Sequence, residues 1–322
     1  MARGHSRLTH APTIGSVIDI PDALIATQSK YNGAAGRAFL AALPGMAAEL
    51  LERWGLRRDG GALYGVCALV LPVVRVADGR RAALKLQSVD EETEGEPVAL
   101  RVWGEASAGA VELLGHDAAT GAMLLERLDG RRSLAGTADV REAVRIIAEL
   151  LAGLTAVRAP RACGFRELGE AVRRMLAAAP GAAELLVDES ERRLLADCAA
   201  AVREVAGEPG DRLLHWDLHF GNVLAGRGGP ADREERWVAI DPKPLAGDPG
   251  FELFPSLVNR FDAAAVGWRF DLLTETLGLD RARARAWTLG RVLQNACWGA
   301  GSGERRLVPE QAEIARRLLG RG

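Results

Sequence analysis

The chain changes character near residue 128, and this change limits the folds that it can adopt. The first part has short β-branched and apolar runs separated by turn-forming residues, whereas the rest has apolar residues at helical spacing. Strands followed by helices, rather than alternating with them, are typical of α+β proteins. We therefore predict two lobes. Residues 1–128 form a small antiparallel β-sheet with one inserted helix after a helical lead-in, and residues 129–322 form a mostly helical lobe.

The clearest local signal in the first lobe is Asp78-Gly79, which lies between two strand-like runs. Tight hairpin turns need residues that tolerate positive φ, so this pair predicts a hairpin of Tyr64–Val76 with Ala82–Gln87. Residues 1–35 are expected to be irregular. The other predicted elements are helices over Ala38–Trp54, Arg141–Val157, Glu189–Ala206 and Asp280–Trp298, and strands over Val111–Gly115, Ala122–Leu128, Arg212–His215, Asn222–Ala225 and Trp237–Ile240.

Composition and charge exclude several classes of protein. The 322 residues include 41 basic and 43 acidic side chains, a net charge of −2, so we expect no nucleic acid partner and no anionic membrane partner. We find no run of about 18 apolar residues of the kind a membrane span needs. The four cysteines are far apart in the sequence, which suits a reducing compartment. We expect a cytoplasmic monomer.

The densest polar cluster is His215–Asn222, and Asp241 follows it after a second apolar run. Asp217 can accept a proton from a hydroxyl group, while Asn222 and Asp241 offer the oxygen ligands that Mg²⁺ prefers. Phosphoryl transfer needs both a proton acceptor and a bound metal ion, because charge on the phosphate must be neutralised while the acceptor oxygen is held in line. The cluster therefore predicts a magnesium-dependent phosphotransferase.

Lysine is rare in this chain, with only Lys30, Lys85 and Lys243 among the 41 basic residues. Lys85 lies in the middle of a predicted strand, where it could pair with nucleotide phosphates and with a carboxylate from a helix. Gly60 and Gly61 precede the first strand and could let backbone N–H groups approach phosphates. A Walker-type P-loop is absent from the sequence.

These motifs resemble the aminoglycoside phosphotransferase branch of the protein-kinase-like fold, and within it the group of streptomycin 6-phosphotransferases and hydroxyurea kinases. The resemblance spans nearly the whole chain. It is carried by Trp54–Gly61, Ala83–Gln87, Met123–Gly130, Leu214–His219, Ile240–Pro244, Gly247–Phe251, Phe270–Glu275 and Trp287–Asn295.

The resemblance implies transfer of the γ-phosphate of ATP to a hydroxyl of streptomycin, with O6 of the streptidine ring as the expected acceptor, which inactivates the antibiotic. Asp217 becomes the catalytic base, Asn222 and Asp241 the Mg²⁺ ligands, and Lys85 the phosphate-binding lysine. Its helix partner is either Glu92 or Glu96. Adenine would stack against the segment that contains Glu126 and Leu128.

Two positions depart from the pattern of the broader family. Trp216 stands where most relatives have Gly, and Phe220 replaces the usual Pro, so the catalytic turn could have a different shape. An acceptor with guanidinium groups calls for carboxylates. Our candidates are Glu252, Asp271 and Glu275, whose alternative is pairing with nearby arginines.

Three other functions share some of these features. A kinase of another aminocyclitol, of hydroxyurea or of a metabolite would use the same nucleotide site. A catalytically inactive nucleotide-binding module is disfavoured because all four polar residues of the predicted site are present. A peptide kinase is disfavoured because only six residues separate Asp241 from Asp248, which leaves no room for a long activation segment. The choice between ATP and GTP stays open.

Overall fold

The computed structural model describes residues 18–65, 67–226 and 236–321. The chain divides into two compact units, residues 1–88 and residues 89–322. Both units contain strands and helices, and helices dominate the second unit. The lobe boundary after residue 128 stays a prediction.

The first unit contains a long helix and a small antiparallel sheet. Its elements are α1 (Asp22–Arg53), β1 (Leu56–Arg58), β2 (Leu63–Tyr64), β3 (Ala68–Arg75) and β4 (Arg81–Gln87). Strand β3 pairs with β1, β2 and β4. The hairpin predicted at Asp78-Gly79 is confirmed, since Gly79 has a φ of 71° and Asp78 accepts a hydrogen bond from the backbone N–H of Arg80 at 3.0 Å.

The single strand predicted over Tyr64–Val76 was wrong. The chain turns directly after Tyr64, where the backbone N–H of Gly65 donates to the carbonyl of Ala68 at 2.9 Å. Strand β2 then folds back onto β3 in a second tight hairpin. A glycine inside an apolar run therefore marked a turn, as it often does in strands.

Helix α1 begins much earlier than predicted. It starts at Asp22, and Gly33, with a φ of 52°, interrupts its helical geometry. Glycine adopts this conformation without steric cost, so the chain kinks at Gly33 and a second helical stretch continues to Arg53. By length and mean hydropathy alone, the Asn32–Arg53 part is apolar enough to cross a membrane, which the search for an apolar run did not find. The irregular structure predicted for residues 1–17 lies outside the described residues.

The second unit begins with α2 (Glu96–Glu105) and the antiparallel hairpin of β5 (Leu113–His116) with β6 (Met123–Glu126), as the sequence predicted. Its longer helices match or extend the predicted ones. The remaining elements are β7 (Asp129–Ser133), α3 (Val140–Ala156), β8 (Arg166–Glu167), α4 (Leu168–Leu185), α5 (Glu189–Val205), β9 (Arg212–Leu214), β10 (Val223–Ala225), β11 (Trp237–Ala239), β12 (Leu245–Gly247), α6 (Phe254–Val258), α7 (Val266–Leu277), α8 (Arg281–Gly301) and α9 (Pro309–Leu318).

The core of this unit lies between its longer helices. Asp139 caps α3 by accepting hydrogen bonds from two backbone N–H groups of the first turn, which is a preferred arrangement at a helix start. The apolar face of α3 is buried, and so are large side chains of α5 and α8 such as Leu195 and Trp287. Trp103 of α2 is fully buried and donates its indole N–H to the carbonyl of Leu154.

Two small sheets carry the chain into the polar cluster. In one, β10 pairs with β11 and β7, and in the other, β12 pairs with β9 and β8. The chain leaves β9, makes the turn that contains Asp217, and enters β10. After β11 it passes through Asp241 and returns as β12 beside β9. The ends of four strands therefore meet around one turn.

Candidate active site

The turn between β9 and β10 is braced by a buried histidine. His215 is 1% exposed, and its Nε2 lies 3.0 Å from the carbonyl oxygen of Ile240, to which it can donate. Burial lowers the pKa of His215 to about 4 although Asp217 and Asp241 act in the opposite direction. The imidazole is therefore neutral near pH 7. It ties the turn that contains Asp217, which is the predicted catalytic turn, to the segment that contains Asp241.

Trp216 has a φ of 67°, which is the left-handed region that side chains other than glycine rarely adopt. Its backbone N–H donates to Oε1 of Glu252 at 2.7 Å. Its indole stacks on Trp298 with ring centroids 6.4 Å apart, and the Arg166 guanidinium lies 4.4 Å from the centre of the Trp216 ring. A left-handed backbone favours glycine, and these contacts hold a tryptophan there instead.

Phe220, the second departure, also has a structural consequence. Its backbone N–H donates to the side-chain oxygen of Asn259, a bond that proline could not form because proline lacks the N–H. The Arg260 guanidinium lies 5.4 Å from the centre of the Phe220 ring. The turn is therefore fixed at this end by a side chain of the helical part of the unit.

The structure brings Asn222 and Asp241 to the turn that carries Asp217. The Asn222 amide Nδ2 donates to the backbone carbonyl of Asp217 at 2.9 Å, which leaves its Oδ1 directed elsewhere. The backbone N–H of Ile240 donates to the carbonyl of Asn222 at 2.9 Å, and Asp241 follows with a φ of 60°. Hydrogen bonding between adjacent segments thus sets the spacing of the two predicted Mg²⁺ ligands.

The donor set fits a magnesium ion that also binds phosphate. One amide oxygen and one carboxylate are the hard ligands that Mg²⁺ takes from proteins when substrate phosphates and water supply the others. Among residues 18–65, 67–226 and 236–321, no group of three or more His, Cys, Asp or Glu side chains is placed to hold a metal ion. The assignment of Asn222 and Asp241 as Mg²⁺ ligands stays a prediction.

Lys243 is a member of the site that we did not predict. Its Nζ lies 3.4 Å from Oδ2 of Asp217 and 3.4 Å from Oε2 of Glu92. Burial disfavours the charged ammonium, but Asp217 and Glu92 outweigh burial and raise the pKa of Lys243. The available signal was its rarity: it is one of three lysines and stands two residues after Asp241.

Glu252, a predicted substrate ligand, is fully buried beneath the turn. Burial raises its pKa to about 7, although the backbone N–H of Trp216 and the charge of Arg291 act in the opposite direction. Burial also lowers the pKa of Arg291 to about 10. Through its hydrogen bond with Trp216, Glu252 stabilises the turn that contains Asp217. Its contact with substrate stays a prediction.

The other predicted site residues lie in different surroundings. Asp271 pairs with Arg281 on the surface, as in the alternative considered for it, and Glu275 is exposed. Glu126 accepts hydrogen bonds from the backbone N–H of Glu112 and from Arg236. Leu128 and Glu96 are buried. Glu92 contacts Lys243, as described above.

Three predicted nucleotide-binding residues belong to the first unit. Lys85 is 4% exposed and stands opposite Val70 in the β3–β4 pair. Gly60 has a φ of 143°, which favours glycine, and Gly61 follows it in the loop between β1 and β2. Their roles stay predictions.

A cleft of about 320 Å³ opens beside the catalytic turn within the second unit. Its wall includes Trp216, which directly precedes Asp217, and Glu92, which pairs with Lys243. Its wall is rich in acidic and aromatic groups. The residues that line it are Glu91, Glu92, Arg166, Glu167, Glu170, Ala171, Arg174, Met175, Ala178, Trp216, Gln294, Cys297 and Trp298.

The sequence is similar to that of known kinases over almost its full length. It is 60% identical over 310 residues to hydroxyurea phosphotransferase from Kitasatospora aureofaciens, covering 96% of this chain and 88% of the relative. It is 50% identical over 312 residues to streptomycin 6-kinase from Streptomyces glaucescens, covering 94% of this chain and 98% of the relative.

The fold is similar to that of solved phosphotransferases. A thermostable mutant of aminoglycoside phosphotransferase APH(4)-Ia, in complex with AMP-PNP and hygromycin B, matches with a TM-score of 0.56 at 16% identity, covering 85% of this chain and 97% of that one. The predicted α+β, protein-kinase-like fold is thereby confirmed. A family model described as aminoglycoside/hydroxyurea antibiotic resistance kinase matches residues 53–303. The chain belongs to this family of phosphotransferases.

Proposed function

We propose that this protein transfers the γ-phosphate of ATP to a hydroxyl group of streptomycin, at O6 of its streptidine ring, and so inactivates the antibiotic. The observation that carries this proposal is the position of Asp217. Its turn is fixed by Asn222 and His215, and its carboxylate contacts Lys243 beside an acidic cleft. A nucleotide and a cationic alcohol could both reach such a carboxylate. The streptomycin kinases among the relatives support the same acceptor.

Asp217 would orient the acceptor hydroxyl and accept its proton. The acceptor oxygen forms a bond to the γ-phosphorus, the bond from that phosphorus to the β–γ bridging oxygen breaks, and ADP leaves. Asn222 and Asp241 would hold Mg²⁺, which supplies neutralisation of phosphate charge when bound. Lys85 would bind the α- and β-phosphates. Positioning and electrostatics would then supply most of the rate enhancement.

The cleft fits a cationic acceptor. Four glutamates and two arginines line it, which gives its wall a formal charge of 2 − 4 = −2. Arg174 pairs with Glu91 and Glu170, whereas Glu167 forms no ion pair with any residue that the structure describes. Streptomycin carries guanidinium groups, which pair well with carboxylates and stack on aromatic faces such as the exposed indole of Trp298.

Hydroxyurea is the second candidate acceptor. The relative with this activity is 60% identical to the chain, compared with 50% and 48% for the two streptomycin kinases. Hydroxyurea is small and neutral, however, so it gains little from a wall of net negative charge. We therefore place streptomycin first, because the charge of the cleft matches its guanidinium groups.

The deciding experiment compares the two acceptors directly. Purified protein is incubated with Mg²⁺ and ATP, with either streptomycin or hydroxyurea, and each product is examined by mass spectrometry for one added phosphate. We expect a higher kcat/KM for streptomycin. A product with hydroxyurea alone would reverse the order, and no transfer to either would contradict the proposal.

A charge variant tests the cleft. Glu167→Gln should raise KM for streptomycin about 3- to 10-fold, the loss of one partly exposed ionic hydrogen bond, and leave KM for ATP unchanged. Glu310→Gln, on the exposed start of α9, serves as the control and should change neither constant. An unchanged KM for streptomycin in Glu167→Gln would remove this residue from the acceptor site.

The same proposal includes a cytoplasmic monomer. All four cysteines lie in the described part of the chain and are free thiols, which supports a reducing compartment. Cell fractionation would test the location, and sedimentation of the purified protein would test the oligomeric state.

A further inference from the structure

The backbone of Lys243 is fixed to the catalytic turn on both sides. Its N–H donates to the carbonyl of His215 at 3.0 Å, and its carbonyl accepts a hydrogen bond from Nη2 of Arg166 at 3.1 Å. Two residues later, Leu245 pairs with Leu214 at the end of β9. The point from which the lysine side chain extends is therefore held at a set distance from Asp217.

The ammonium group of Lys243 contacts one oxygen of each of two carboxylates. It lies 3.4 Å from Oδ2 of Asp217 and 3.4 Å from Oε2 of Glu92. The lysine side chain is 36% exposed and that of Asp217 is 31% exposed, so this pair is at the edge of the solvent. A contact through Oδ2 restricts rotation of the Asp217 carboxylate and leaves Oδ1 for another partner.

We propose that Lys243 is a positioning residue for phosphoryl transfer. Its ammonium holds Asp217 through Oδ2 so that Oδ1 faces the acceptor hydroxyl, and Glu92 holds the ammonium in place from the wall of the cleft. This inference rests on the proposed function, because it assigns the orientation of the base that the proposed reaction uses. Arginine at this position would keep the charge, whereas methionine would keep the approximate length and remove the charge.

The first measurement separates positioning from nucleotide binding. Lys243→Met should lower kcat about 10- to 100-fold, the cost of a misplaced reacting group, with KM for ATP within about twofold of the wild type. Lys243→Arg should recover most of the lost kcat. Lys30→Met, which replaces an exposed lysine of α1, is the matched control and should behave as the wild type.

The second measurement asks whether Lys243 acts through Asp217. In an Asp217→Asn background, Lys243→Met should cause little further loss of kcat, because residues that act as a unit are strongly non-additive. A structural role that Lys243 plays through Glu92 and not through Asp217 would instead lower kcat by a similar factor in both backgrounds and would lower the unfolding midpoint. If Lys243→Met does not fold, the comparison uses Lys243→Arg and Glu92→Gln. A normal kcat in Glu92→Gln would then overturn the positioning role of Lys243.

The outcomes distinguish this inference from the proposed function. If the wild-type protein is active, three results overturn the role of Lys243 alone. Lys243→Met is fully active, its loss is confined to KM for ATP, or the losses in the double variant are multiplicative. Wild-type protein that transfers no phosphate to any acceptor overturns the proposed function, and the positioning role with it.

Discussion

Glu252 accepts a hydrogen bond at 2.7 Å from the backbone N–H of Trp216, the residue directly before Asp217. The carboxylate is fully buried, and the backbone that it holds has a left-handed φ of 67°. An unfavourable backbone conformation persists only where its surroundings enforce it. This contact therefore links the shape of the catalytic turn to a buried acid beneath it.

Replacing Trp216 tests the cost of its backbone conformation. Trp216→Gly and Trp216→Ala both lose the indole and its stacking on Trp298, but only alanine keeps a Cβ in the left-handed region. We expect Trp216→Gly to be more stable than Trp216→Ala by about 1 kcal/mol. Urea unfolding of the two variants measures the difference, and a more stable alanine variant would contradict the expectation.

Burial of Glu252 should make stability depend on pH. Its pKa is about 7 in the folded protein and 4.5 as the ordinary value, so between these values the folded state binds more protons. The free energy of unfolding should therefore fall as pH rises from 4.5 to 7, by about 3 kcal/mol for this group. His215 acts in the opposite direction, because its folded pKa of about 4 is below its ordinary 6.5.

Glu252→Gln should expose the effect of His215. Glutamine keeps an oxygen that can accept from Trp216 but does not titrate. Relative to wild type, the variant should gain free energy of unfolding as pH rises from 5 to 7, and its own stability should rise with pH between 4 and 6.5. Urea unfolding at pH 5 and pH 7 measures the free energy of unfolding of both proteins. Parallel pH profiles for the two proteins would contradict the raised pKa of Glu252.

Asp217→Asn should retain the turn and lose the proton acceptor. We expect kcat to fall by about 10²- to 10⁴-fold, the usual contribution of a general base, with little change in the Kd for nucleotide. Asp211→Asn, which alters an exposed aspartate paired with Arg158, is the control. Near-normal turnover in Asp217→Asn would exclude it as the base.

Lys85→Met should impair use of the nucleotide. Removing a charge-assisted hydrogen bond to phosphate costs roughly 10- to 100-fold in affinity, so KM for ATP should rise by that factor while KM for the acceptor stays constant. Lys30→Met is the matched lysine control. Steady-state kinetics with varied ATP decides the matter, and an unchanged kcat/KM for ATP would contradict the assignment.

Local signals in the sequence predicted much of the fold. The Asp78-Gly79 hairpin and the β5–β6 hairpin depend on turn residues that act over a few positions. The long helices α3, α5 and α8 followed from apolar spacing. Strands β7 and β12 were missed, because strands of three to five residues in small sheets are defined by pairing with distant segments and have no period of their own.

Only the part of the site that residue types reveal could be predicted from the sequence. Asp217, Asn222 and Asp241 could be grouped because their residue types suit one chemistry. Lys243 could not be placed, since its contact with Asp217 requires the chain after Asp241 to fold back beside β9. The acids of the cleft come from the turn before α2 and from the start of α4, two regions that only the tertiary structure brings together.

The short connection after Asp241 has a consequence for control of the protein. Strand β12, which directly follows Pro244, is hydrogen-bonded into a sheet with β8 and β9. A segment held in this way cannot swing in and out as a covalently switched gate. Any switch that acts through this segment would first have to break the pairing of β12 with β8 and β9.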